Sequence, residues 1–162
     1  MSKIGIYPGT FDPMTNGHLN IIQRSLKVVD KLIIGVADNL NKKPLLSIDE
    51  RKNIIANDIY SLQQNNKKIE IHTVNGLLTE FAKKFDADCI IRGLRAVSDF
   101  EYEFQLAGMN KKLNSNIETM FLMSEVENQI ISSKFVKEIA NLGGNIDRFV
   151  TKSTVKVLKS NF

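Results

Sequence analysis

The chain alternates short apolar runs with longer stretches in which apolar residues recur at helical spacing. The run Lys31–Ala37 is almost continuously apolar, as in a strand buried on both faces of a parallel sheet. By contrast, Leu19, Ile22 and Leu26 recur three and four residues apart, which predicts an amphipathic helix. On these two patterns the predicted strands are residues 3–7, 31–37, 69–74, 89–91 and 119–123.

Helices are predicted between the strands and after the last one. Two of them begin at Ser47 and Ser98, each followed three residues later by a glutamate. This spacing matches the capping box, in which a hydroxyl and a carboxylate satisfy free backbone amides reciprocally. The predicted helices are residues 18–28, 47–60, 77–85, a long helix from 98, 133–142 and 151–159.

A β-α unit repeated five times predicts an α/β fold, a doubly wound, five-stranded parallel sheet with C-terminal helices. No internal repeat or linker divides the sequence, so residues 1–162 are expected to form a single domain. Ligands of such sheets bind outside the carboxyl ends of the strands. The chemically distinctive residues fall in the segments after the five strands, namely 9–18, 38–44, 75–78, 92–103 and 124–134.

The composition is that of an ordinary globular enzyme, with 43% hydrophobic and 25% charged residues. The net charge of +4 suits anionic substrates. No apolar run approaches the ~20 residues that span a bilayer, and the apolar stretch before Pro8 is too short for a signal peptide. The single cysteine, Cys89, excludes an internal disulfide, and two histidines exclude a multi-histidine metal site. We therefore expect a cytoplasmic protein with no membrane partner.

A nucleic-acid-binding module is the alternative from a different functional class. It requires basic residues that cluster on one surface and are interleaved with aromatic ones. Here the basic residues are scattered among acidic ones, and the chain has three tyrosines and no tryptophan. No nucleic-acid partner is therefore expected. A gel shift that weakens steeply with salt would contradict this interpretation.

The segment after the first strand has the character of a phosphate-binding loop, reading GTFDPMTNGH from Gly9 to His18. Its small residues let the backbone approach a phosphate, and the following helix presents free amides and the positive end of its dipole. His18, where that helix begins, adds an imidazole donor, although a histidine there also serves as a structural cap. The loop is not a Walker motif, because no Gly-Lys-Ser/Thr follows.

This loop resembles the phosphate-binding motif of the nucleotidyltransferase superfamily, whose T/H-x-G-H element corresponds to TNGH at residues 15–18. Four further segments resemble phosphopantetheine adenylyltransferases: NKKP at 41–44, GLL at 76–78, IRGLRAVSDFEYE at 91–103 and ISS at 131–133. The resemblance extends from residue 3 to the last helix. It implies a Rossmann-like nucleotidyltransferase fold. The implied reaction transfers the adenylyl group of ATP to 4′-phosphopantetheine, giving dephospho-coenzyme A and pyrophosphate in coenzyme A biosynthesis.

The resemblance implies a role for each matching residue. The catalytic residues would be Thr10, His18 and Lys42, which neutralise charge on the reacting phosphates. The residues that bind 4′-phosphopantetheine would be Thr10, Lys42, Leu78 and Arg92. The residues that bind ATP would be Thr10, Phe11, His18, Gly93, Leu94, Arg95, Glu103, Asn128, Gln129, Ile130, Ile131, Ser132, Ser133 and Lys134. The cofactor would be Mg²⁺, held mainly by the ATP phosphates and not by dedicated protein ligands.

Structural roles compete with several of these assignments. A lysine pair such as the one containing Lys42 commonly lies on a solvated surface, and Leu78 is equally compatible with the core. The serine pair at 132–133 before an apolar-periodic helix is by default a cap, which is compatible with phosphate binding because both use the same amides. Alternative partners for Arg92 and Arg95 are Asp99, Glu101 and Glu103.

Two positions depart from the family pattern. Lys134 stands where the family usually carries a third small hydroxyl residue, and it adds positive charge where the triphosphate is expected. Asn128 stands where an aromatic residue is often found. These departures leave open the hydroxyl contacts at 134 and the packing around the nucleotide at 128.

The closest alternative function is that of a sister nucleotidyltransferase acting on another phosphate acceptor, such as nicotinamide mononucleotide. The acceptor-side residues Lys42, Leu78 and Arg92 and the segment 91–103 argue against it. An inactive structural homologue is disfavoured because the chain retains all four of the expected reactive residues, Thr10, His18, Lys42 and Arg92.

The long helix predicted from Ser98 carries two apolar stripes, whereas a helix packed on one face of a sheet needs only one. We expect the sheet to cover one stripe. A neighbouring subunit or the C-terminal helices would cover the other. Because the family resemblance implies a hexamer, we expect a homo-oligomer. The stripes are Phe100, Phe104 and Ala107, and Tyr102, Leu106, Met109 and Leu113.

Overall fold

The computed structural model describes residues 2–38, 43–63 and 68–162. The strands in this part are β1 (Ile4–Gly9), β2 (Lys31–Ala37), β3 (Lys68–Val74), β4 (Cys89–Leu94) and β5 (Glu118–Met123). The helices are α1 (Asn16–Ser25), α2 (Ile48–Gln63), α3 (Leu78–Lys84), α4 (Val97–Leu113), α5 (Ser133–Asn141) and α6 (Lys152–Lys159). A 3-10 turn, Val126–Asn128, precedes α5. The predicted alternation of strands and helices is confirmed.

The five strands form one parallel sheet in the order β3-β2-β1-β4-β5, so the predicted doubly wound fold is also confirmed. Side chains alternate between its two faces along each strand. In β4, Cys89 and Ile91 belong to the core beneath α1, α2, α5 and α6. Ile90, between them, belongs to the smaller core beneath α3.

The strand order reverses between β1 and β4, which is where ligands bind in sheets of this kind. These two strands pair only at Gly5 with Cys89 and at Ile6 with Ile90. Beyond that point they separate, and Pro8, which has no N–H to donate to a neighbour, lies in the separated part of β1. The separation opens a crevice at the carboxyl ends of the two central strands.

Two strands extend further towards this crevice than the sequence predicts. β1 was expected to end at residue 7 but includes Pro8 and Gly9, because a proline is tolerated where no ladder hydrogen bond is required of it. β4 continues from residue 91 to Leu94. Arg92 and Gly93 are therefore strand residues, not loop residues, and they lie beside Phe121 and Leu122 of β5.

The first predicted capping box is confirmed and the second is wrong. At the start of α2, the Glu50 N–H donates to Ser47 Oγ at 3.2 Å and the Ser47 N–H donates to Glu50 Oε2 at 2.8 Å. In α4 the N-cap residue is Ala96, which provides no side-chain cap. Asp99, not the predicted glutamate, reaches back, because it accepts the Arg95 N–H at 3.3 Å and forms an ion pair with the same residue.

Both apolar stripes of α4 are largely exposed in the single chain. In one stripe Phe104 is 63% exposed, and the ring of Phe100 lies 6.2 Å from that of Phe121 in β5. In the other stripe Tyr102 and Met109 are 63% and 61% exposed, so the C-terminal helices do not cover them. No helix in the described parts of the chain is both long enough and apolar enough to cross a membrane.

Candidate active site

The loop between β1 and α1 is built on the aromatic ring of Phe11. This residue has a positive φ of 51° and is 1% exposed. Its ring packs edge-on against Tyr7 at 5.5 Å and His18 at 5.1 Å between centroids. A Cβ at Gly9 would lie 2.9 Å from this ring, so glycine is needed for the ring to fold back. The Phe11 side chain therefore supports the loop and is not available to a ligand.

Side chains of the C-terminal helices donate hydrogen bonds to this loop. Ser133 Oγ, at the start of α5, donates to the Pro13 carbonyl at 2.8 Å. Thr154 Oγ1, on α6, donates to the Met14 carbonyl at 3.3 Å. Both bonds satisfy loop carbonyls that no regular element pairs, so the loop is held in one conformation.

Asp12 connects the loop after β1 to the segment before α2, a contact that the sequence did not predict. Its carboxylate accepts the backbone N–H groups of Leu45 and Leu46 at 3.0 and 2.9 Å, and Lys137 Nζ lies 2.6 Å away. Asp12 is 5% exposed, so this pairing is what makes its burial tolerable. An aspartate before a proline reads as an ordinary turn, which hides the long-range contacts from the sequence.

His18 caps α1 reciprocally with Thr15, as its predicted position at the helix start requires. The Thr15 N–H donates to His18 Nδ1 at 3.0 Å, so Nδ1 carries no proton and the neutral ring is protonated at Nε2. Burial, followed by the positive charges of Arg95 and Arg92, lowers the pKa of His18 to about 4. The imidazole is therefore a neutral Nε2–H donor at physiological pH.

Arg92 of β4 and Glu103 of α4 form a bidentate ion pair at the crevice. Arg92 Nε donates to Glu103 Oε2 at 2.7 Å, a terminal nitrogen contacts the other carboxylate oxygen, and Nη1 donates to the Pro8 carbonyl at 3.2 Å. Burial opposes the charge on Arg92, but the bonds and attraction of Glu103 outweigh it, so the pKa of Arg92 is raised. Burial also raises the pKa of the neighbouring Tyr7 far above its usual range.

Arg95 connects the end of β4 to the segment before α5. Its guanidinium binds Asp99 with Nε at 3.0 Å and donates through Nη1 to the Ile131 carbonyl at 3.0 Å. The ion-pair alternatives weighed for both arginines are thus present in the folded chain. They do not exclude ligand binding, because a guanidinium has five donors.

The segment 124–134 closes the same end of the sheet. Ser132 is the N-cap of α5 and accepts the Phe135 N–H at 3.2 Å, while Gln129 donates to the Ser124 carbonyl at 3.4 Å. Ile130 is 79% exposed and Ile131 8%. A Cβ on Gly17 would lie 3.7 Å from Asn128 Cβ, so this segment lies over the start of α1.

Lys134 differs from the other predicted ATP residues. Its side chain is 81% exposed and its Nζ lies 4.0 Å from Glu138 Oε1, one turn further along α5. Lys134 thus lies along the exposed surface of its own helix.

The remaining predicted residues divide into three groups. Gly93 and Leu94 lie in β4 at the crevice, with a Cβ on Gly93 only 3.1 Å from Ile21. Leu78 begins α3 and is partly buried against the core beneath that helix, in line with the structural alternative. Lys42 lies outside the described residues.

The donor set at the crevice is cationic and amide-rich. Within the described residues no group of three or more His, Cys, Asp or Glu side chains is placed to hold a metal ion. What converges there is a loop of backbone amides, a neutral imidazole donor and two guanidinium groups. Such donors match the oxygens of a polyphosphate.

Comparisons with known proteins agree with this geometry. The family model described as cytidylyltransferase-like matches residues 6–139. A relative from Pelagibacter ubique, named phosphopantetheine adenylyltransferase, is 55% identical over 100% of this chain and 99% of its own length. One of the same name from Caulobacter vibrioides is 51% identical, with 96% and 95% covered.

Among solved structures, a bifunctional NMN adenylyltransferase/ADP ribose pyrophosphatase from Francisella tularensis superposes with a TM-score of 0.72 over 99% of this chain and 49% of its own. At 15% identity this likeness supports the fold alone. The relatives at about half identity go further, because each match covers nearly the whole of both chains. The chain belongs to the phosphopantetheine adenylyltransferase family of the nucleotidyltransferase superfamily.

Proposed function

We propose that this chain transfers the adenylyl group of ATP to 4′-phosphopantetheine, releasing pyrophosphate and forming dephospho-coenzyme A. The observation that carries the proposal is the convergence of the loop after β1 and the segment 91–103 at one crevice, in a chain of this family. Both are the segments by which the sequence resembles the family. The acceptor identity comes from the relatives, and the phosphate chemistry comes from the donors of the crevice.

The reaction is an in-line attack of an acceptor phosphate oxygen on the α-phosphorus of ATP. A new P–O bond forms, the bond from the α-phosphorus to the bridging oxygen breaks, and pyrophosphate leaves with that electron pair. The second pKa of a phosphomonoester is about 6, so the nucleophile is already an anion and no general base is needed. The protein positions the two phosphates and stabilises the charge that develops.

His18 is the side chain best suited to the α-phosphate. As a neutral ring with its proton on Nε2, it donates a hydrogen bond without having to lose a proton first. It does not act as a base, because Nδ1 is already occupied by the Thr15 amide. Thr10, which directly follows β1, shares this phosphate in our assignment.

The remaining ATP contacts are assigned to the rim of the crevice. They combine the amides at the start of α5 with the charge of Arg95, which is fixed on the Ile131 carbonyl. Ser132 already caps this helix and Ser133 already donates to Pro13, so their hydroxyls can meet a phosphate only as additional partners. The residues assigned to ATP remain Thr10, Phe11 through its backbone, His18, Gly93, Leu94, Arg95, Glu103 and Asn128 to Lys134.

The acceptor contacts are assigned to Thr10, Lys42, Leu78 and Arg92. Arg92 is held by Glu103 and by the Pro8 carbonyl, so it is fixed in place before a substrate arrives. Its charge is offset by that carboxylate. We therefore assign more of the acceptor's charge neutralisation to Lys42 and more of its positioning to Arg92.

Mg²⁺ is proposed to enter with ATP. The crevice offers cations and amides and, in the described residues, no cluster of carboxylates, which fits an ion held by phosphate oxygens and water. Bound there, Mg²⁺ neutralises charge on the triphosphate and the leaving pyrophosphate.

We further propose a cytoplasmic homo-oligomer, a hexamer by family resemblance. Support comes from the apolar side chains of α4, where Tyr102, Met109 and Leu113 of one stripe and Phe104 of the other are more than half exposed. Large exposed apolar side chains grouped on one helix are typical of an interface between subunits. The cytoplasmic location is supported by the pathway and by the single, buried Cys89.

Pyrophosphate release tests the function directly. With ATP and Mg²⁺, release should require 4′-phosphopantetheine and stay at background with nicotinamide mononucleotide. The reverse preference would reassign the chain to a sister nucleotidyltransferase.

Calorimetry with each ligand tests which residues bind ATP and which bind 4′-phosphopantetheine. Lys42→Ala and Arg92→Lys should weaken binding of 4′-phosphopantetheine more than of ATP, and Arg95→Ala should do the opposite. Arg92→Lys is preferred to Arg92→Ala because lysine keeps a cation beside the buried Glu103. Equal losses for both ligands in all three variants would contradict the assignment.

A further inference from the structure

Arg51 is the largest fully buried side chain of the molecule's described part, at 1% exposure. It lies in the first turns of α2, where the sequence reads as an ordinary solvated helix surface. Arginine is almost never fully buried unless its donors are bound. The partners of Arg51 therefore show what its burial achieves.

Four hydrogen bonds from Arg51 to backbone carbonyls are described. Nε donates to the Leu46 and Ser47 carbonyls at 3.1 and 3.3 Å. Nη1 donates to the carbonyls of Thr10 and Ala37, each at 2.9 Å. Thr10 directly follows β1 and Ala37 ends β2, so one guanidinium joins the carboxyl ends of two neighbouring strands to the start of α2.

The segment that precedes α2 is held from both sides. Asp12, from the loop after β1, binds the N–H groups of Leu45 and Leu46, and Arg51 binds the carbonyls of Leu46 and Ser47. The negative charge of Asp12 is met by Lys137 at 2.6 Å. It is therefore not the counterion of Arg51, whose described partners are four neutral backbone carbonyls.

We propose that Arg51 is a positioning residue for adenylyl transfer. It holds the Thr10 carbonyl beside the Ala37 carbonyl at the end of β2, and so fixes the place of Thr10, the residue that we assign to both the ATP and the acceptor phosphate. The inference rests on the proposed function. Arg51 touches neither substrate, and it acts through the Thr10 carbonyl and the backbone of the two strands.

Three variants separate positioning from stability. Arg51→Met removes every donor at similar length, and Arg51→Lys keeps the charge and a donor but loses the fork that binds several carbonyls at once. Ile59→Ala is the matched control, since Ile59 lies on the same helix, is fully buried and contacts the core away from the crevice. It lowers stability by making a cavity.

Pyrophosphate release is measured at saturating ATP and 4′-phosphopantetheine, below the melting temperature of every variant. Arg51→Met should lower kcat by about 10- to 100-fold, because displacement of a reacting group by about 1 Å costs up to that much. Arg51→Lys should recover part of the loss. Ile59→Ala should stay within about twofold of the unmodified chain however far its melting temperature falls.

A kcat for Arg51→Met no lower than that of Ile59→Ala would overturn the proposal and leave Arg51 a purely structural residue. If Arg51→Met does not fold, Arg51→Lys decides: a loss of kcat of about threefold or more supports positioning, and an unchanged kcat overturns it. If the unmodified chain is inactive with 4′-phosphopantetheine, the proposed function fails instead. In that case ATP affinity by calorimetry decides, since only positioning predicts weaker binding in Arg51→Lys than in Ile59→Ala.

Discussion

A histidine can stabilise a phosphate either as a neutral hydrogen-bond donor or as a cation. The surroundings of His18 favour the neutral donor. The Thr15 amide occupies Nδ1, while burial and the charges of Arg95 and Arg92 oppose protonation. A neutral imidazole keeps its Nε2 proton throughout the physiological range. It stabilises developing charge without the reorganisation that a titrating group would require.

Replacing His18 by alanine should therefore affect turnover and leave the fold intact. We expect His18→Ala to lower kcat by roughly 10²-fold, the usual effect of losing one donor to a developing negative charge. Pyrophosphate release by purified variants measures it, with circular dichroism as the control for folding. His18→Gln retains an N–H donor, so its kcat should lie between those of the unmodified chain and of His18→Ala. Near-normal turnover in folded His18→Ala would remove His18 from the mechanism.

The depressed pKa of His18 also makes folding stability depend on pH. Between about pH 6.5, the usual histidine value, and about pH 4, the folded value, the unfolded chain binds a proton that the folded chain does not. Stability should therefore fall as the pH is lowered through this window, by about 2 kcal/mol from pH 7 to pH 5.

Urea unfolding at pH 7 and pH 5 measures this dependence. His18→Gln has no titrating ring at the site and should lose that part of the pH dependence while the carboxylates still contribute theirs. If the free energy of unfolding changes equally between pH 7 and pH 5 in both proteins, His18 is not responsible for the pH dependence.

At the scale of whole elements, regular patterns were predictable and long-range contacts were not. β2 was predicted to the residue because it is buried on both faces, and a continuous apolar run has clear ends. The start of α4 was misplaced because a serine three residues before a glutamate matches the local rule. Asp99 overrides that rule through an ion pair with Arg95, outside the helix.

The same distinction applies to the site. Thr10, His18, Arg92 and Arg95 were assigned to the site because they stand in the segments that resemble the family. The contacts of Asp12 and Arg51 were not predicted because Asp12 binds Leu45, 33 residues away, and Arg51 binds Thr10, 41 residues away along the chain. Nothing in a lone aspartate before a proline, or in a lone arginine on a helix, encodes those partners.

α5 carries the prediction about Lys134, the residue that departs from the family pattern. Its ammonium lies 4.0 Å from Glu138 and is largely exposed, so its rotation towards a triphosphate would break only a weak surface pair. If it binds the β- or γ-phosphate, Lys134→Glu should weaken ATP binding by about tenfold, through loss of one attraction and gain of a repulsion. Lys134→Ser, the family-like residue, should have a smaller effect.

Calorimetry with ATP measures both substitutions, and Lys152→Glu on α6 serves as the charge-matched control. Unchanged affinity in Lys134→Ser and Lys134→Glu alike would show that Lys134 faces solvent also in the complex.

At the scale of the whole molecule, the two faces of the sheet are covered by different helices and different cores. The face covered by α1, α2, α5 and α6 holds the larger core and braces the loop after β1 through Thr154 and Ser133. The opposite face holds the smaller core beneath α3, and α4 leaves most of its own apolar side chains exposed. Yet α4 also supplies Glu103, which holds Arg92 in the crevice. Assembly through α4 would therefore stabilise a helix that belongs to the site.

This arrangement predicts that the chain assembles and that α4 forms the interface. Light scattering at low micromolar concentration should give a mass of about 110 kDa for a hexamer of the 18.3 kDa chain. Met109→Glu should shift the mass towards the monomer, because it places a charge where apolar surface is to be buried. Tyr60→Glu is the matched control, since Tyr60 is equally exposed, at 67%, but lies on α2. If the unmodified chain scatters as an 18.3 kDa monomer, the assembly is refuted. If Tyr60→Glu dissociates it and Met109→Glu does not, the interface lies elsewhere.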